Sequence, residues 1–232
     1  MNPPPTPSPT AVKAFVITGD RNAIAKKDFT GAFDPEAKAF MQLHNIPSEC
    51  RLKVDLSKGE PTRRKQVMGF LEDMRQRGYR TNTLAVFCHG FTNRVEIGFR
   101  SGRLDDLVKA LQASRSHPGP LSVLLYCCST GSGVDALGGD NGFADRLRDK
   151  LCELGEVECW VDAHVTAGHT VRNPNKRRFL GMGSRVGGTG GTYIVAPGSG
   201  QWRKWSRALQ TEYRLRFHWK SVAEIHQDLE KM

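Results

Sequence analysis

Short apolar segments alternate with segments of helical spacing along most of this chain. Apolar runs such as 84–88 and 121–127 have no polar face, which indicates strands buried on both sides of a sheet. Because helices are expected between them, the strands should run parallel and the helices should cover the sheet. The sequence therefore predicts an α/β fold. The predicted strands are 14–18, 51–56, 84–88, 121–127, 157–161 and 192–196, and the predicted helices begin at Asp34 and Thr62 or span 104–113 and 142–154.

Length and composition predict one domain without a membrane segment. The chain has 232 residues, of which 38% are hydrophobic, and this is enough for a single core. No apolar run approaches the roughly 20 residues of a membrane helix, and the first residues do not resemble a secretion signal. We therefore expect a cytoplasmic protein with no membrane contact. Its predicted parts are a disordered, proline-rich lead-in at 1–11 and one domain at 12–232, in which 201–232 forms a basic, aromatic helical extension.

Neither the charge nor the cysteines predict a cofactor. The formal net charge is +10, but the basic residues form no recognisable nucleic-acid-binding module, so nucleic acid is not the expected partner. The six cysteines lack the paired Cys-x-x-Cys spacing of a zinc site, so they predict reduced, buried thiols and no metal. The glycine-rich stretch 181–191 has no phosphate-binding pattern.

A histidine and a cysteine each follow directly after a predicted strand. His89 follows the run 84–88 and Cys128 follows the run 121–127, with one predicted helix between the two runs. Strands joined in this way are usually neighbours, so their carboxyl ends lie at one edge, about 4.8 Å apart. An imidazole beside a thiol favours the thiolate and can protonate a leaving amine. Gly90 has no side chain, so its amide and that of Cys128 could stabilise an oxyanion.

These residues resemble a known enzyme family. A strand ending in His-Gly, at 86–90, and a later strand ending in Cys, at 124–128, are similar to the caspase-like cysteine peptidases, which include caspases, metacaspases, legumains and gingipains. The continuation from Cys128 to Gly131 is most similar to the legumain and metacaspase form. The order of elements between about 12 and 200 also resembles the core of that family.

The resemblance implies both a fold and an activity. The implied fold is a caspase-like three-layer sandwich with a mostly parallel six-stranded sheet flanked by helices. The implied activity is that of an endopeptidase with His89 and Cys128 as the catalytic dyad and the amides of Gly90 and Cys128 as the oxyanion hole. By analogy, we expect a regulated bacterial effector with a protein or peptide substrate and an activating ligand or partner protein.

Two departures from the family limit what can be transferred. Cys127 stands where the family usually has Ala or Ser, so two adjacent cysteines compete for the role of nucleophile. Because side chains alternate along a strand, only one of them can face the site. The spacing to Gly131 favours Cys128. The caspase sequence Gln-Ala-Cys-Arg-Gly is absent, so cleavage after aspartate is not predicted.

Substrate recognition is expected from residues that follow the first and fifth strands. Asp20 closes the first predicted strand and Asp162 the fifth, and either carboxylate could pair with a basic residue before the scissile bond. Arg21 could instead bind an acidic residue. His164 and His169 lie in the segment after the fifth strand, and we predict that they contact substrate rather than a metal.

A basic run precedes the glycine-rich stretch. Related peptidases are mobile in this region and are cut there during activation. Because a pocket for basic residues would accept the Lys-Arg-Arg at 176–178, the sequence suggests self-cleavage at this point.

Two alternatives remain open. The first is a serine esterase of the α/β-hydrolase kind with Ser129 as nucleophile and Asp162 and His169 as its partners, although the first glycine of its nucleophile elbow is replaced. The second is a non-catalytic binding module that uses the basic, aromatic residues of 201–232.

Overall fold

A seven-stranded mixed sheet lies at the centre of the fold. The computed structural model describes residues 9–20, 33–134, 139–156, 158–166, 173–181 and 190–217. The strands are β1 (Phe15–Asp20), β2 (Arg51–Asp55), β3 (Thr83–Phe87), β4 (Leu121–Tyr126), β5 (Cys159–His164), β6 (Lys176–Leu180) and β7 (Thr192–Tyr193). They lie in the order β7-β6-β5-β4-β3-β1-β2, in which β1 to β5 are parallel, β6 is antiparallel to β5 and β7 is antiparallel to β6.

Helices cover this sheet in two layers. The helices are α1 (Phe33–Leu43), α2 (Glu60–Gln76), α3 (Asp105–Ala113), α4 (Phe143–Glu153) and α5 (Gly200–Phe217). Phe40 of α1 contacts Phe87 and Tyr126, whereas α2 contacts α3 and α3 contacts α4. Because the chain reverses direction across the sheet after β2, the usual right-handed crossovers put α1 on one face and α2, α3 and α4 on the other.

The predicted α/β class is confirmed, but the number of strands was wrong. The expected six strands are seven, because β6 begins with Lys-Arg-Arg and was not recognised as a strand. The fifth strand lies at Cys159–His164 rather than 157–161, so it extends further toward its carboxyl end than predicted. The last strand is shorter than predicted, since only Thr192–Tyr193 pair with β6.

Two smaller sheets accompany the central one. An antiparallel sheet of three short strands follows His89 directly; it consists of Gly90–Phe91, Arg94–Val95 and Phe99–Arg100 and is called the small sheet below. Thr10–Ala11 pair in parallel with Tyr79–Arg80. The end of the predicted disordered lead-in is therefore a strand, while residues 1–8 lie outside the described residues.

The predicted helical extension is present as α5 up to Phe217, and 218–232 lie outside the described residues. In the described part of the chain, no helix combines the length and the apolar character needed to span a bilayer.

Candidate active site

The pairing of β3 with β4 brings His89 and Cys128 to the same edge of the sheet. The last pair in this parallel register is Phe87 with Tyr126. His89 and Cys128 each follow two residues after that pair, so their backbones leave the sheet at the same level. Each residue is only 4% exposed. The predicted placement at one edge is confirmed, whereas the catalytic roles remain predictions.

Gly90 lies directly against the chain around Cys128. A β-carbon at position 90 would come within 2.5 Å of the Cys128 carbonyl oxygen, 2.6 Å of Thr130 Cγ2 and 2.7 Å of Cys127 Cβ. Real β-carbons do not approach other atoms this closely, so this position requires glycine. The absent side chain is what allows the segments after β3 and β4 to touch.

Cys127 is a packed thiol. It is completely buried, and its Sγ lies 3.6 Å from Cys88 Sγ and 3.5 Å from the carbonyl oxygen of Val86. Burial raises the pKa of the Cys127 thiol well above its ordinary value. Because the thiolate is the nucleophile, a thiol held neutral in this way is a poor candidate. This finding favours Cys128, as the spacing to Gly131 did.

The chain turns sharply directly after Cys128. Ser129 has a φ of 57°, in the left-handed region that few non-glycine residues occupy. The Thr130 hydroxyl donates to the Cys127 carbonyl at 3.0 Å, and the Gly131 amide donates to the His164 carbonyl at 2.8 Å. The turn is thus hydrogen-bonded both to itself and to the end of β5.

Arg177 of β6 joins this turn to two other segments. Its guanidinium donates to the carbonyl oxygens of Gly131 at 3.1 Å, Gly139 at 2.5 Å and Gly191 at 2.8 Å, and to the Asp140 carboxylate at 3.3 Å. The residue is 3% exposed. Sequence analysis missed this role, because nothing in a Lys-Arg-Arg run shows which arginine faces inward.

Aromatic residues pack around the edge on the α1 side. The His89 ring meets the ring of Phe33, at the start of α1, edge-on with centroids 4.8 Å apart. Beneath it, Phe87 and Tyr126 stack with centroids 4.5 Å apart. The His89 carbonyl accepts the amide of Glu96, which ties the small sheet to this edge. These contacts restrict the orientation of the imidazole.

The two predicted recognition carboxylates have different positions. Asp20 ends β1, whose Thr18 pairs with Phe87, so its backbone reaches the level of His89. Asp162 was predicted to close the fifth strand, but it lies within β5. Both Asp162 oxygens accept hydrogen bonds from Arg178 at 2.7 Å, and this pairing raises the pKa of Arg178. The carboxylate of Asp162 is therefore already neutralised.

The predicted substrate contact of His164 is not at an accessible surface. His164 ends β5, is fully buried and meets the Tyr126 ring edge-on with centroids 5.9 Å apart. The ammonium of Lys176 lies 4.9 Å from the centre of the same ring, and burial lowers the pKa of Lys176. An imidazole enclosed in this way has no surface for substrate. His169 lies outside the described residues.

The structure does not support the suggestion of self-cleavage at 176–178, which stays a prediction. These residues belong to β6, which is hydrogen-bonded to β5 along its length and to β7 at Arg177 and Arg178. A protease needs an extended, accessible segment, and an internal strand does not provide one.

Neither a metal-ligand group nor a similar protein identifies the function. Among the described residues, no group of three or more potential metal ligands lies close enough to hold an ion. Comparisons of the chain with protein-family models, with curated proteins and with solved structures found no match. The functional argument therefore depends on the edge formed by β3 and β4.

Proposed function

We propose that this protein is a caspase-like cysteine endopeptidase, with Cys128 as the nucleophile and His89 as the general acid and base. The observation that supports this most is the register of β3 and β4, which brings the two residues to one edge. The close approach of Gly90 to Cys128 adds to it, since an oxyanion hole formed by their amides needs adjacent backbones.

The chemistry follows the usual course of a thiol peptidase. The Cys128 thiolate attacks the scissile carbonyl carbon, and the amides of Gly90 and Cys128 stabilise the resulting oxyanion. His89 then gives its proton to the leaving amine nitrogen as the C–N bond breaks, which leaves an acyl-enzyme. Finally, water attacks the thioester, His89 takes up its proton, and the thiolate leaves.

The sheet order is also in keeping with a caspase-like sandwich. Five parallel strands lie in the order β5-β4-β3-β1-β2, β6 pairs antiparallel with β5, and helices cover both faces. The short β7 is the departure from the six strands that the resemblance implies.

The proposal keeps a basic residue before the scissile bond, but with one carboxylate instead of two. Asp20 is at the correct edge, whereas Asp162 is occupied by Arg178. Because His89 and Cys128 are each 4% exposed, a substrate can enter only after this edge opens. An activating ligand or partner protein would supply the free energy for that change.

Alkylation and peptide hydrolysis together test the proposal. We expect iodoacetamide to modify Cys128 and to abolish hydrolysis of fluorogenic peptides with Arg or Lys before the cleavage point, with Asn and Asp peptides as comparisons. Cys127 should stay unmodified because burial keeps its thiol protonated. Peptide mass mapping of the modified protein distinguishes the two cysteines.

Cys50 provides an internal control for this experiment. It is buried, and burial raises the pKa of its thiol to about 11, so it should also resist alkylation. Modification of Cys127 in the folded protein, or hydrolysis that persists after Cys128 is fully alkylated, would contradict the proposal.

Ser129 is a second candidate nucleophile, for a serine esterase. Its positive φ and its partial exposure support this reading, because a strained turn after a strand can present a hydroxyl. Against it, the proposed acidic partner Asp162 is bound to Arg178. We expect Ser129→Gly, which removes the hydroxyl but accepts the same φ, to keep more than about half of the activity toward peptide and ester substrates. Loss of ester hydrolysis in this variant, with Cys128→Ala still active, would establish the esterase instead.

A further inference from the structure

Two arginines face each other on the small sheet. Arg94 and Arg100 are direct partners in the antiparallel pairing of Arg94–Val95 with Phe99–Arg100. Like charges opposite each other destabilise such a pair unless an anion lies nearby. Glu60, the first residue of α2, is that anion: its carboxylate accepts from Arg100 Nε at 2.8 and 2.9 Å and from Nη2 at 2.8 Å.

A third arginine lies close to the same carboxylate. The hydrogen bond from Arg100 lowers the pKa of Glu60, and the charges of Arg63 and Arg94 act in the same direction. Arg63 is three residues after Glu60 in α2, so the charges of three arginines act on one carboxylate, which is already engaged by Arg100. Residues 90–103 add to the imbalance, since they contain three arginines and one glutamate.

Two of these arginines form no ion pair in the part of the chain that the structure describes. Arg94 stacks its guanidinium 4.3 Å from the centre of the Phe91 ring, and it forms no ion pair with a described residue. Stacking fixes the plane of a guanidinium while leaving its N–H edges available. Arg63 likewise forms no ion pair there, and its Nε, which is buried, has no hydrogen-bond partner.

These arginines lie beside the candidate active site. Phe91, under Arg94, follows Gly90, which touches the chain around Cys128. The amide of Glu96 donates to the His89 carbonyl, so the small sheet is fixed to the residue we propose as catalytic. A chain bound across the edge would pass close to this sheet.

We propose that Arg63, Arg94 and Arg100, which we call the arginine surface, bind an acidic segment of a peptide or protein substrate. Arg63 and Arg94 supply charge-assisted, paired hydrogen bonds for a short run of carboxylates, and Arg100, which Glu60 holds, adds positive charge beside them. Affinity for nucleic acid grows with the number of phosphates that Lys and Arg neutralise, and this cluster has three arginines, one of which is paired with Glu60. That the acidic segment belongs to a substrate rests on the proposed function; the binding itself does not.

The test measures binding without turnover. A Cys128→Ala protein is titrated into a fluorescein-labelled peptide containing six consecutive glutamates, and anisotropy is followed in low salt and in high salt. We expect Arg94→Gln to weaken binding about fivefold, and Arg63→Gln with Arg94→Gln about 20-fold, because each lost charge contact has that order of effect. High salt should weaken peptide binding more in the protein with all three arginines than in the Arg→Gln variants.

The matched control removes the same charge elsewhere. Arg203→Gln with Arg207→Gln, on the exposed side of α5, should change binding less than about twofold. A peptide with six glutamines should not bind.

Three results would overturn the inference: no binding of the glutamate peptide, equal losses in the α5 control, or tighter binding of a single-stranded oligothymidine that the Arg63 and Arg94 variants abolish. If the unsubstituted protein binds the glutamate peptide but cleaves no fluorogenic peptide, the proposed peptidase function is refuted and the binding role of the arginine surface is not.

Discussion

Replacing Cys128 with alanine should abolish peptide hydrolysis, whereas Cys127→Ala should retain at least about half of it. Loss of a nucleophile costs on the order of 10⁶-fold in kcat, which falls below detection in most assays. Cys127 is buried beside Cys88, so its replacement removes packing but no reacting atom. Steady-state kinetics with the preferred fluorogenic peptide measure the difference.

His89 can be tested in the same way. His89→Ala should lower kcat by about 10²–10⁴-fold, as expected for loss of a general acid and base. His117→Ala is the matched control, because His117 is exposed and its ring nitrogen lies 2.9 Å from the Pro118 carbonyl oxygen, in its own loop. If Cys127→Ala were inactive and Cys128→Ala active, the one-residue assignment of the nucleophile would be reversed.

Replacing Arg177 with alanine should destabilise the whole fold and disorganise the turn after Cys128. The change leaves the carbonyl groups of Gly131, Gly139 and Gly191 without their donor. Buried groups that lose a partner cost about 1–3 kcal/mol each, so we expect a loss of about 3–5 kcal/mol in unfolding free energy. Thermal and urea unfolding measure this loss, which should lower the Tm by about 10 °C in a chain of this size.

A conservative variant separates positioning from general stability. Arg177→Lys keeps the charge but only one nitrogen, so it should recover part of the stability while Cys128 is still alkylated more slowly than in the unsubstituted protein. Arg203→Ala, which loses one exposed hydrogen bond to Gly198, should change stability by less than about 0.5 kcal/mol. Unfolding at the same urea concentration for Arg177→Ala and Arg203→Ala would show that the network around Arg177 is not stabilising.

The sequence predicted the fold where the strands are apolar and failed where they are not. Strands such as β3 and β4 are buried on both faces, so hydrophobicity alone reveals them. In β6, by contrast, Arg177 is buried through hydrogen bonds rather than through apolar contact, and Lys176 packs on an aromatic ring. These are tertiary contacts with distant residues, which a local hydrophobic pattern does not contain.

The candidate site shows the same division. The common edge of His89 and Cys128 follows from topology, because the carboxyl ends of neighbouring parallel strands lie at the same edge of a sheet. The occupation of Asp162 by Arg178 depends on a partner strand that was not predicted, so a carboxylate that looked available is not. Similarly, the sequence did not predict that Arg94 and Arg100 are neighbours, because only the pairing of the small sheet places them opposite each other.

The short strand at Thr10–Ala11 has a practical consequence for making the protein. The Thr10 amide donates to the Gly78 carbonyl at 2.9 Å, and the Val12 amide donates to the Arg80 carbonyl at 2.8 Å. A shortened chain that began at residue 12 would lose the first of these bonds and expose the edge of Tyr79–Arg80 to pairing with another molecule. Affinity tags and truncations for crystallisation should therefore end before residue 9.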